Sequence, residues 1–274
     1  MRRSVPAVLF AVLVMIGSLG GARADAADAR LQAAIDGPQR DAAHRARDVY
    51  RHPGGVLEFF GLRDRMTVVE VMPGADGWWT EILAPYLRAH GRYYVALPDQ
   101  THRPGEQRGN AAFSGKLAAG PALYDKIVVT RLDRDRQDIA APGSADLVIT
   151  FRNLHDWLAQ GVAEADIRAF YRALKPGGVF GIVDHRARAD RPVDPKAKTG
   201  YVRPDFAIEL IEAAGFKLAG SSEINANPKD DTDHPEGVWT LPPTLRLKDR
   251  DRAKYLAIGE SDRFTLKFVK PATP

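Results

Sequence analysis

The chain has 274 residues, of which 39 are lysine or arginine and 35 are aspartate or glutamate, and its formal net charge is +4. So small a positive excess offers no basic surface to a nucleic acid, and we do not expect one as a partner. The sequence contains no cysteine, which excludes disulfides, thiolate nucleophiles and cysteine-ligated metals.

Residues 1–24 have the pattern of a secretory signal peptide. Arg2 and Arg3 precede an apolar run over 5–16, and Ala22-Arg23-Ala24 offers a small-x-small cleavage site. A membrane-spanning helix needs about 20 apolar residues, so we expect cleavage after Ala24 rather than a retained anchor. Loss of the three arginines in this segment lowers the formal charge from +4 to +1. The sequence thus predicts export to a bacterial periplasm, with no stable membrane anchor after cleavage.

Residues 25–60 are predicted to form an N-terminal helical cap. Asp41–Arg51 is rich in alanine and arginine, and His52-Pro53-Gly54 is expected to end that helix. Val56–Phe60 forms a short amphipathic turn closed by Gly61. We assign the cap a structural role, as a cover on the sheet that follows.

The next segment is predicted as a strand, a tight turn and a helix. Thr67–Val71 is apolar and β-branched apart from Glu70, Met72–Gly77 is a turn, and Trp78–Ala84 has helical character. A glycine-containing turn of this kind lets a ligand approach the backbone and the free N–H groups at the start of the helix. The same pattern also occurs in βα units that bind no ligand.

The sequence at 70–77, EVMPGADG, resembles the first motif of class I methyltransferases that use S-adenosylmethionine (SAM). In that motif an acidic residue is followed by glycines at alternate positions. Here Gly74 keeps its glycine, whereas Met72 and Asp76 occupy the outer two positions. Both side chains are expected to reduce the space for the cofactor, and Asp76 opposes its carboxylate unless it turns away. The resemblance implies four cofactor contacts in this segment: Glu70, Gly74, Asp76 and Gly77.

In the family, two acidic residues bind the nucleoside part of SAM, and each follows one of the next two strands. The family ends the second strand, here Gly91–Asp99, with an acid that binds the ribose. Counting places Leu97 at that position, with Asp99 two residues later on the same side of the strand. Residues 101–120 lack clear periodicity and are predicted as a loop or broken helix. After the third strand, Lys126–Thr130, Asp135 has the spacing of the family's contact to adenine, although a solvated charge run is the simpler explanation.

A fourth strand, Ser144–Thr150, is followed by the richest group of polar side chains. Ligands of open parallel sheets sit beyond the carboxyl ends of the strands, where Arg152, Asn153 and His155 fall. The resemblance implies that these three position the acceptor, and a His–Asp pair can act as a general base. The alternative is that Asp156 and its neighbours only cap the next helix.

The remaining elements complete the pattern. Asp166–Leu174 predicts an amphipathic helix, and Leu-Lys-Pro-Gly-Gly at 174–178 leads into a strand that ends in Asp184 and His185. A helix over Pro204–Ala214, a sixth strand, a long polar loop over 221–240 and a strand over Arg263–Val269 follow. We predict no metal, because no compact metal motif joins the four possible ligands: His155, Asp184, His185 and His234.

The sequence therefore predicts an α/β protein with a Rossmann-like class I methyltransferase fold over 61–274. The expected sheet is seven-stranded and mostly parallel, with helices on both faces and the N-terminal helical cap. Pro73-Gly74 and Trp78-Trp79-Thr80-Glu81-Ile82-Leu83 resemble an exported, uncharacterised subgroup of that family.

Methyl transfer from SAM to an unknown small-molecule or cell-envelope acceptor in the periplasm is the expected activity. The altered glycine motif and the lack of an evident periplasmic SAM supply count against it. The alternative is a non-catalytic periplasmic ligand-binding protein on the same scaffold. In that case the tryptophans would stack on a ring or sugar: Trp78, Trp79, Trp157 and Trp239.

Overall fold

A computed structural model describes residues 29–98 and 104–272. The predicted signal peptide and Asp99 lie outside these residues, so both stay predictions. Among the described residues, no helix is both long enough and apolar enough to cross a membrane.

Seven strands form one sheet in the order β3-β2-β1-β4-β5-β7-β6. All are parallel except β7, which runs antiparallel to β5 and β6. Glu70 of β1 pairs with Val95 of β2 and Ile149 of β4, so the carboxyl ends of these strands meet at one edge. The predicted seven-stranded, mostly parallel sheet is confirmed. The strands are β1 Thr67–Val71, β2 Arg92–Pro98, β3 Ile127–Leu132, β4 Ala145–Phe151, β5 Leu174–His185, β6 Lys217–Ser222 and β7 Arg263–Val269.

Helices cover both faces of the sheet, with α1 over 29–36 the first of those described. The others are α2 Ala42–Arg45, α3 Asp48–Arg51, α4 Pro53–Phe60, α5 Thr80–Leu87, α6 Pro104–Ala119, α7 Pro121–Tyr124, α8 Leu154–Gln160, α9 Ala163–Ala173, α10 Pro204–Ala213 and α11 Arg252–Ile258. A 3₁₀ turn spans Gly237–Thr240.

Two apolar cores lie on opposite faces because alternate residues of a strand point to opposite sides. Val69 and Val71 of β1 belong to a core that Trp157 of α8 and Phe170 of α9 complete. Val68 belongs to the second core, which is completed by the cap, α5 and α6. The cap is thus a cover on the sheet, as predicted.

The predicted helix ends at Arg51, as expected at His52-Pro53-Gly54. Two other local predictions were wrong. Val56–Phe60 is not a short turn but part of α4, which Pro53 begins, because proline fits the first turn of a helix, where its missing N–H is not needed. The segment predicted as a loop or broken helix contains α6, a continuous helix of 16 residues. Its apolar residues are too few for a periodic pattern, and contacts with the rest of the fold hold it: Phe113 is buried, and the Asn110 amide donates to the carbonyl oxygen of Pro98.

Candidate functional site

A cavity of about 280 Å³ lies at the carboxyl ends of β1, β2, β4 and β5. Its walls come from the turn after β1, the end of β2, the segment after β4, and the loop before α11. Helix α6 contributes Asn110, and the end of β5 contributes His185. This is the edge at which open parallel sheets bind their ligands.

The glycine turn after β1 reaches the cavity through Gly74. This residue has a φ of 75°, and a Cβ built on it would meet nothing within 4 Å. Gly77 is different, because an added Cβ would lie 2.8 Å from the Phe113 ring. Asp76 lines another groove, between the turn and the cap, and takes no space from the cavity. Of the predicted glycine contacts, only Gly74 lies where a cofactor in this cavity could touch it.

Met72 and Asn153 hold the turn in shape. Met72 has a φ of 52°, and its sulfur accepts a hydrogen bond from the Trp157 indole at 3.0 Å. The Asn153 amide donates to the carbonyl oxygens of Val71 at 3.1 Å and Met72 at 3.2 Å. Asn153, predicted to position an acceptor, therefore has an anchoring contact with the glycine turn, and its acceptor role stays a prediction.

Glu70 contacts protein rather than the cavity. Its carboxylate accepts hydrogen bonds from the hydroxyl of Thr80, at 2.9 Å, and from the hydroxyl of Tyr93. Burial raises the pKa of Glu70 to about 7, although both hydrogen bonds act to lower it. Glu70 thus joins β1 to the first residue of α5 and to β2, and it supports the turn from behind.

A His–Asp pair faces the cavity from the segment after β4. Nδ1 of His155 lies 2.9 Å from Oδ1 of Asp184, a residue at the end of β5. The backbone N–H groups of His155 and His185 also donate to Asp184. With Nδ1 engaged, Nε2 is the other His155 nitrogen, and it lies 3.7 Å from Oδ2 of Asp156, which also lines the cavity. This arrangement has the geometry of a general base with its orienting carboxylate.

The two cavity histidines have opposite electrostatics although their ring centroids are only 5.0 Å apart. Burial acts to lower the pKa of His155, but the Asp184 carboxylate outweighs it and raises the pKa above 6.5. Burial and the neighbouring charge of His155 lower the pKa of His185 well below 6.5. Protonation therefore favours His155, and His185 stays neutral.

His155, Asp184 and His185 could also hold a metal ion, because their ligand atoms lie within 4.8 Å of one another. Sequence spacing gave no sign of this cluster, because its members come from two different strand ends. The Asp184 oxygens accept three hydrogen bonds from the two histidine residues, so hydrogen bonds alone account for the position of this carboxylate.

The other predicted site residues are dispersed. Arg152 lines the cavity with a φ of 62°, and burial, together with Arg263, lowers its pKa to about 10. Leu97 lines the cavity where the family places its ribose acid. Asp135 lies on the exposed loop after β3 and does not line the cavity. The adenine role of Asp135 and the ribose role of Asp99 stay predictions.

Asn110 and Trp239 line the cavity but were not among the site residues predicted for methyl transfer. Asn110 was missed because its helix was not predicted. Trp239, expected to stack on a ligand only in the binding-protein alternative, lies with its ring centroid 6.1 Å from that of His155. An indole beside a candidate base excludes water from that side.

Comparison with known proteins places the fold. No protein-family model matches the chain. The chain is similar to the SAM-dependent Diels-Alderase iccD of Talaromyces variabilis, at 27% identity over 162 residues. That match covers 53% of this chain and 52% of the relative, so the chain spans about half the length of the curated protein it matches.

Solved structures match over most of the chain. A SAM-dependent methyltransferase from Aquifex aeolicus matches with a TM-score of 0.54 and 15% identity, over 89% of this chain and 98% of that one. The chain has a class I methyltransferase fold. The [4+2]-cyclase SpnF shares it, with a TM-score of 0.58 and 15% identity over 90% and 94% of the two chains. Similarity at this identity establishes the fold and leaves the reaction open.

Proposed function

We propose that the protein binds SAM in the cavity at the carboxyl ends of the strands and transfers its methyl group to an acceptor. One observation carries the proposal: Gly74, in the turn that resembles the family motif and with open space beside its Cα, lines the same cavity as His155, which Asp184 holds from behind. Bound SAM supplies an electrophilic methyl group. The chain then has to align an acceptor with it and remove the acceptor's proton.

In this proposal His155 of the dyad acts as the general base. Its Nε2 accepts the proton, and the charge that forms on the ring is stabilised by Asp184. Trp239 shields the ring, and Asn153 keeps the glycine turn in place. Arg152 contributes a positive charge at the same wall of the cavity.

A second candidate is a SAM-dependent reaction other than methylation. Two of the similar proteins are a Diels-Alderase and a [4+2]-cyclase. A cyclase needs the same cavity but releases no S-adenosylhomocysteine, so product analysis separates the two. The non-catalytic binding protein is the remaining alternative, and it requires that the cavity take another ligand instead of SAM.

Two glycines provide a matched test of cofactor binding. Gly74 and Gly143 have φ angles of 75° and 65°, and neither has an atom within 4 Å of an added Cβ. Only Gly74 lines the cavity. Calorimetric titration with S-adenosylhomocysteine should show binding to the wild type, binding weakened at least ~10-fold in Gly74→Leu, and unchanged affinity in Gly143→Leu. No binding by the wild type, or equal effects of both substitutions, would contradict the proposal.

We also propose that residues 1–24 direct export to the periplasm, in keeping with the exported subgroup that the sequence resembles. The pattern of Arg2, Arg3, an apolar run and Ala22-Arg23-Ala24 supports this. The amino-terminal sequence of the protein recovered from periplasmic extract should begin at Asp25. Recovery of the uncleaved chain from the cytoplasm would refute export.

A further inference from the structure

The loop that forms one wall of the cavity continues into a strongly basic segment, residues 244–258. Thr244 still lines the cavity, and the guanidinium of Arg246 lies 4.7 Å from the centre of the Trp239 ring. The segment contains two acids, Asp249 and Asp251, and five basic residues, Arg246, Lys248, Arg250, Arg252 and Lys254. Its formal charge is therefore +3. Because the chain after Ala24 carries only +1, the rest of that chain is net negative, and positive charge is concentrated beside the cavity.

The basic side chains of this segment are available to a partner. All five are exposed. Arg246 lies 3.7 Å from Glu236, and about half of its side chain, 49%, is still exposed. Among the described residues, none forms an ion pair with Lys248, Arg250 or Arg252. A group of exposed like charges creates a positive surface potential, which an anionic partner would neutralise.

Exposed apolar side chains adjoin the basic segment. Leu256 of α11 is 48% exposed, and it lies on the same side of the helix as Arg252, four residues before it. Tyr50 of α3 packs against Gly259, the residue that ends α11: a Cβ built on Gly259 would lie 2.7 Å from the Tyr50 ring. Tyr50 is 38% exposed and its neighbour Val49 is 68% exposed. Exposed apolar side chains beside basic ones are typical of surfaces that lie on lipid.

Formal charge distinguishes this surface from a second exposed apolar site, the edge strand β3. Val128 and Val129 are exposed to a similar extent, 44% and 47%. Residues 125–138 around them contain four basic and four acidic residues, so their formal charge is zero. Strand β3 also lies at one edge of the sheet, whereas β7, the strand that follows α11, lies near the other edge. The β3 edge is therefore a control that has apolar exposure without an excess of positive charge.

We propose that residues 246–256, together with Val49 and Tyr50, form a docking surface for a bilayer that contains anionic phospholipid. Lipid phosphates would neutralise the basic side chains, and Leu256 would enter the interface between headgroups and acyl chains. The apolar side chains favour a bilayer over a nucleic acid, because the phosphates of a nucleic acid would engage the basic side chains alone.

Docking would bring the mouth of the cavity to the membrane surface, because Thr244 joins the cavity wall to the basic segment. The methyl acceptor would then come from the membrane, as the headgroup of a lipid. This step rests on the proposed function, whereas docking itself can be measured without a cofactor.

Sedimentation with lipid vesicles tests the docking surface. The protein used should begin at Asp25, the terminus expected after export, because the apolar run over 5–16 would itself bind lipid. It should bind vesicles made of equal parts phosphatidylglycerol and phosphatidylcholine, and bind phosphatidylcholine alone at least ~10-fold more weakly. Higher ionic strength should weaken the binding, because salt screens exposed charges.

Two triple variants of equal net charge form a matched pair. The first reverses three charges of the docking surface: Lys248→Glu, Arg250→Glu and Lys254→Glu. The second reverses three exposed charges near the β3 edge: Arg131→Glu, Arg134→Glu and Arg136→Glu. Binding to the mixed vesicles should weaken at least ~10-fold in the first variant and stay within ~2-fold of the wild type in the second. Leu256→Asn should weaken it several-fold, because the apolar contribution is lost.

The proposal would be overturned by equal binding to the two kinds of vesicle, by equal losses in the two triple variants, or by binding to a DNA duplex without binding to vesicles. Thermal unfolding checks that each variant is folded. If the first variant fails to fold, glutamine at the same three positions removes the charges without reversing them and should weaken binding in the same direction.

A second experiment tests the lipid acceptor. Incubation with SAM and vesicles of total bacterial lipid should release S-adenosylhomocysteine, and the first triple variant should release it more slowly. Vesicle binding without this release would overturn the lipid acceptor and leave the docking surface standing. Vesicle binding by a wild type that does not bind S-adenosylhomocysteine would refute the proposed function and also leave the docking surface standing.

Discussion

At the residue scale, the candidate site depends on one carboxylate placed between two histidines. Asp184 sits at the end of β5 and is fully buried, and it accepts hydrogen bonds from both histidine residues. Only His155 engages it through the ring, whereas His185 directs its ring to the hydroxyl of Ser261. The difference in ring partners accounts for the opposite shifts in pKa.

Titration of the two rings should reproduce that order. In NMR spectra recorded between pH 4 and 9, His155 should titrate above pH 6.5 and His185 well below it. Asp184→Asn should lower the pKa of His155 below 6.5, because burial of the ring remains after the carboxylate is lost. Single His→Gln variants assign the signals. The dyad would be contradicted if His185 titrated at a higher pH than His155, or if Asp184→Asn left the pKa of His155 unchanged.

These shifts also set the sign of each contribution to stability. The pKa of His155 is raised on folding, so its charged ring stabilises the fold below pH 6.5, and this stability is lost as the pH rises through the folded pKa. The pKa of His185 is lowered, so the unfolded chain takes up a proton first as the pH falls below 6.5, and stability decreases there.

At the element scale, α6 shows how tertiary contacts override a weak local pattern. Its sequence is polar and contains three glycines, and such residues favour other conformations when a helix is isolated. Phe113 places a whole aromatic ring against the turn at Gly77, and Asn110 ties the helix to the end of β2. Helix α6 is therefore held by a few contacts that also shape the cavity wall.

Phe113→Ala should lower the free energy of unfolding by about 3–5 kcal/mol, the usual cost of removing a fully buried phenylalanine. Phe206→Ala in α10 is the control, because Phe206 is only partly buried and should cost less. Denaturation by urea measures both. A loss below ~1 kcal/mol at Phe113 would mean that α6 does not pack on the sheet as described.

At the scale of the whole molecule, the buried carboxyl of Glu70 makes global stability depend on pH. Its pKa rises from 4.5 to about 7 on folding. Between these pH values the Glu70 carboxyl is ionised in the unfolded chain but keeps its proton in the folded chain. The free energy of unfolding therefore falls as the pH rises. The shift corresponds to roughly 3 kcal/mol at 1.36 kcal/mol per pKa unit.

Glu70→Gln should remove that part of the pH dependence. Glutamine can still accept hydrogen bonds from Thr80 and Tyr93, so the fold should be retained. Urea denaturation from pH 4.5 to 7.5 should show a smaller decrease in the free energy of unfolding for the variant than for the wild type. Parallel curves for the two proteins would show that Glu70 is ionised equally in both states.

The sequence by itself determined the elements whose signal is local. Alternation along Arg263–Val269 and the β-branched run Thr67–Val71 each depend on neighbouring residues, and each matches the structure. The turn expected at 174–178 instead forms the start of β5, where its pairing with β4 is irregular. Because strands of known direction end at one edge of a parallel sheet, the segment after β4 could also be placed at the ligand edge. Such reasoning placed Arg152, Asn153 and His155 at the cavity.

Only the tertiary structure decided which side chains meet. His155 and Asp184 are 29 residues apart and come together because β4 lies beside β5. Arg47 reaches Glu260 although 213 residues separate them. The same long-range packing turned Asp76 away from the cavity and Glu70 toward Tyr93. Periodicity and spacing describe a residue's neighbours along the chain, whereas contacts of this kind depend on the order of strands and the packing of helices upon them.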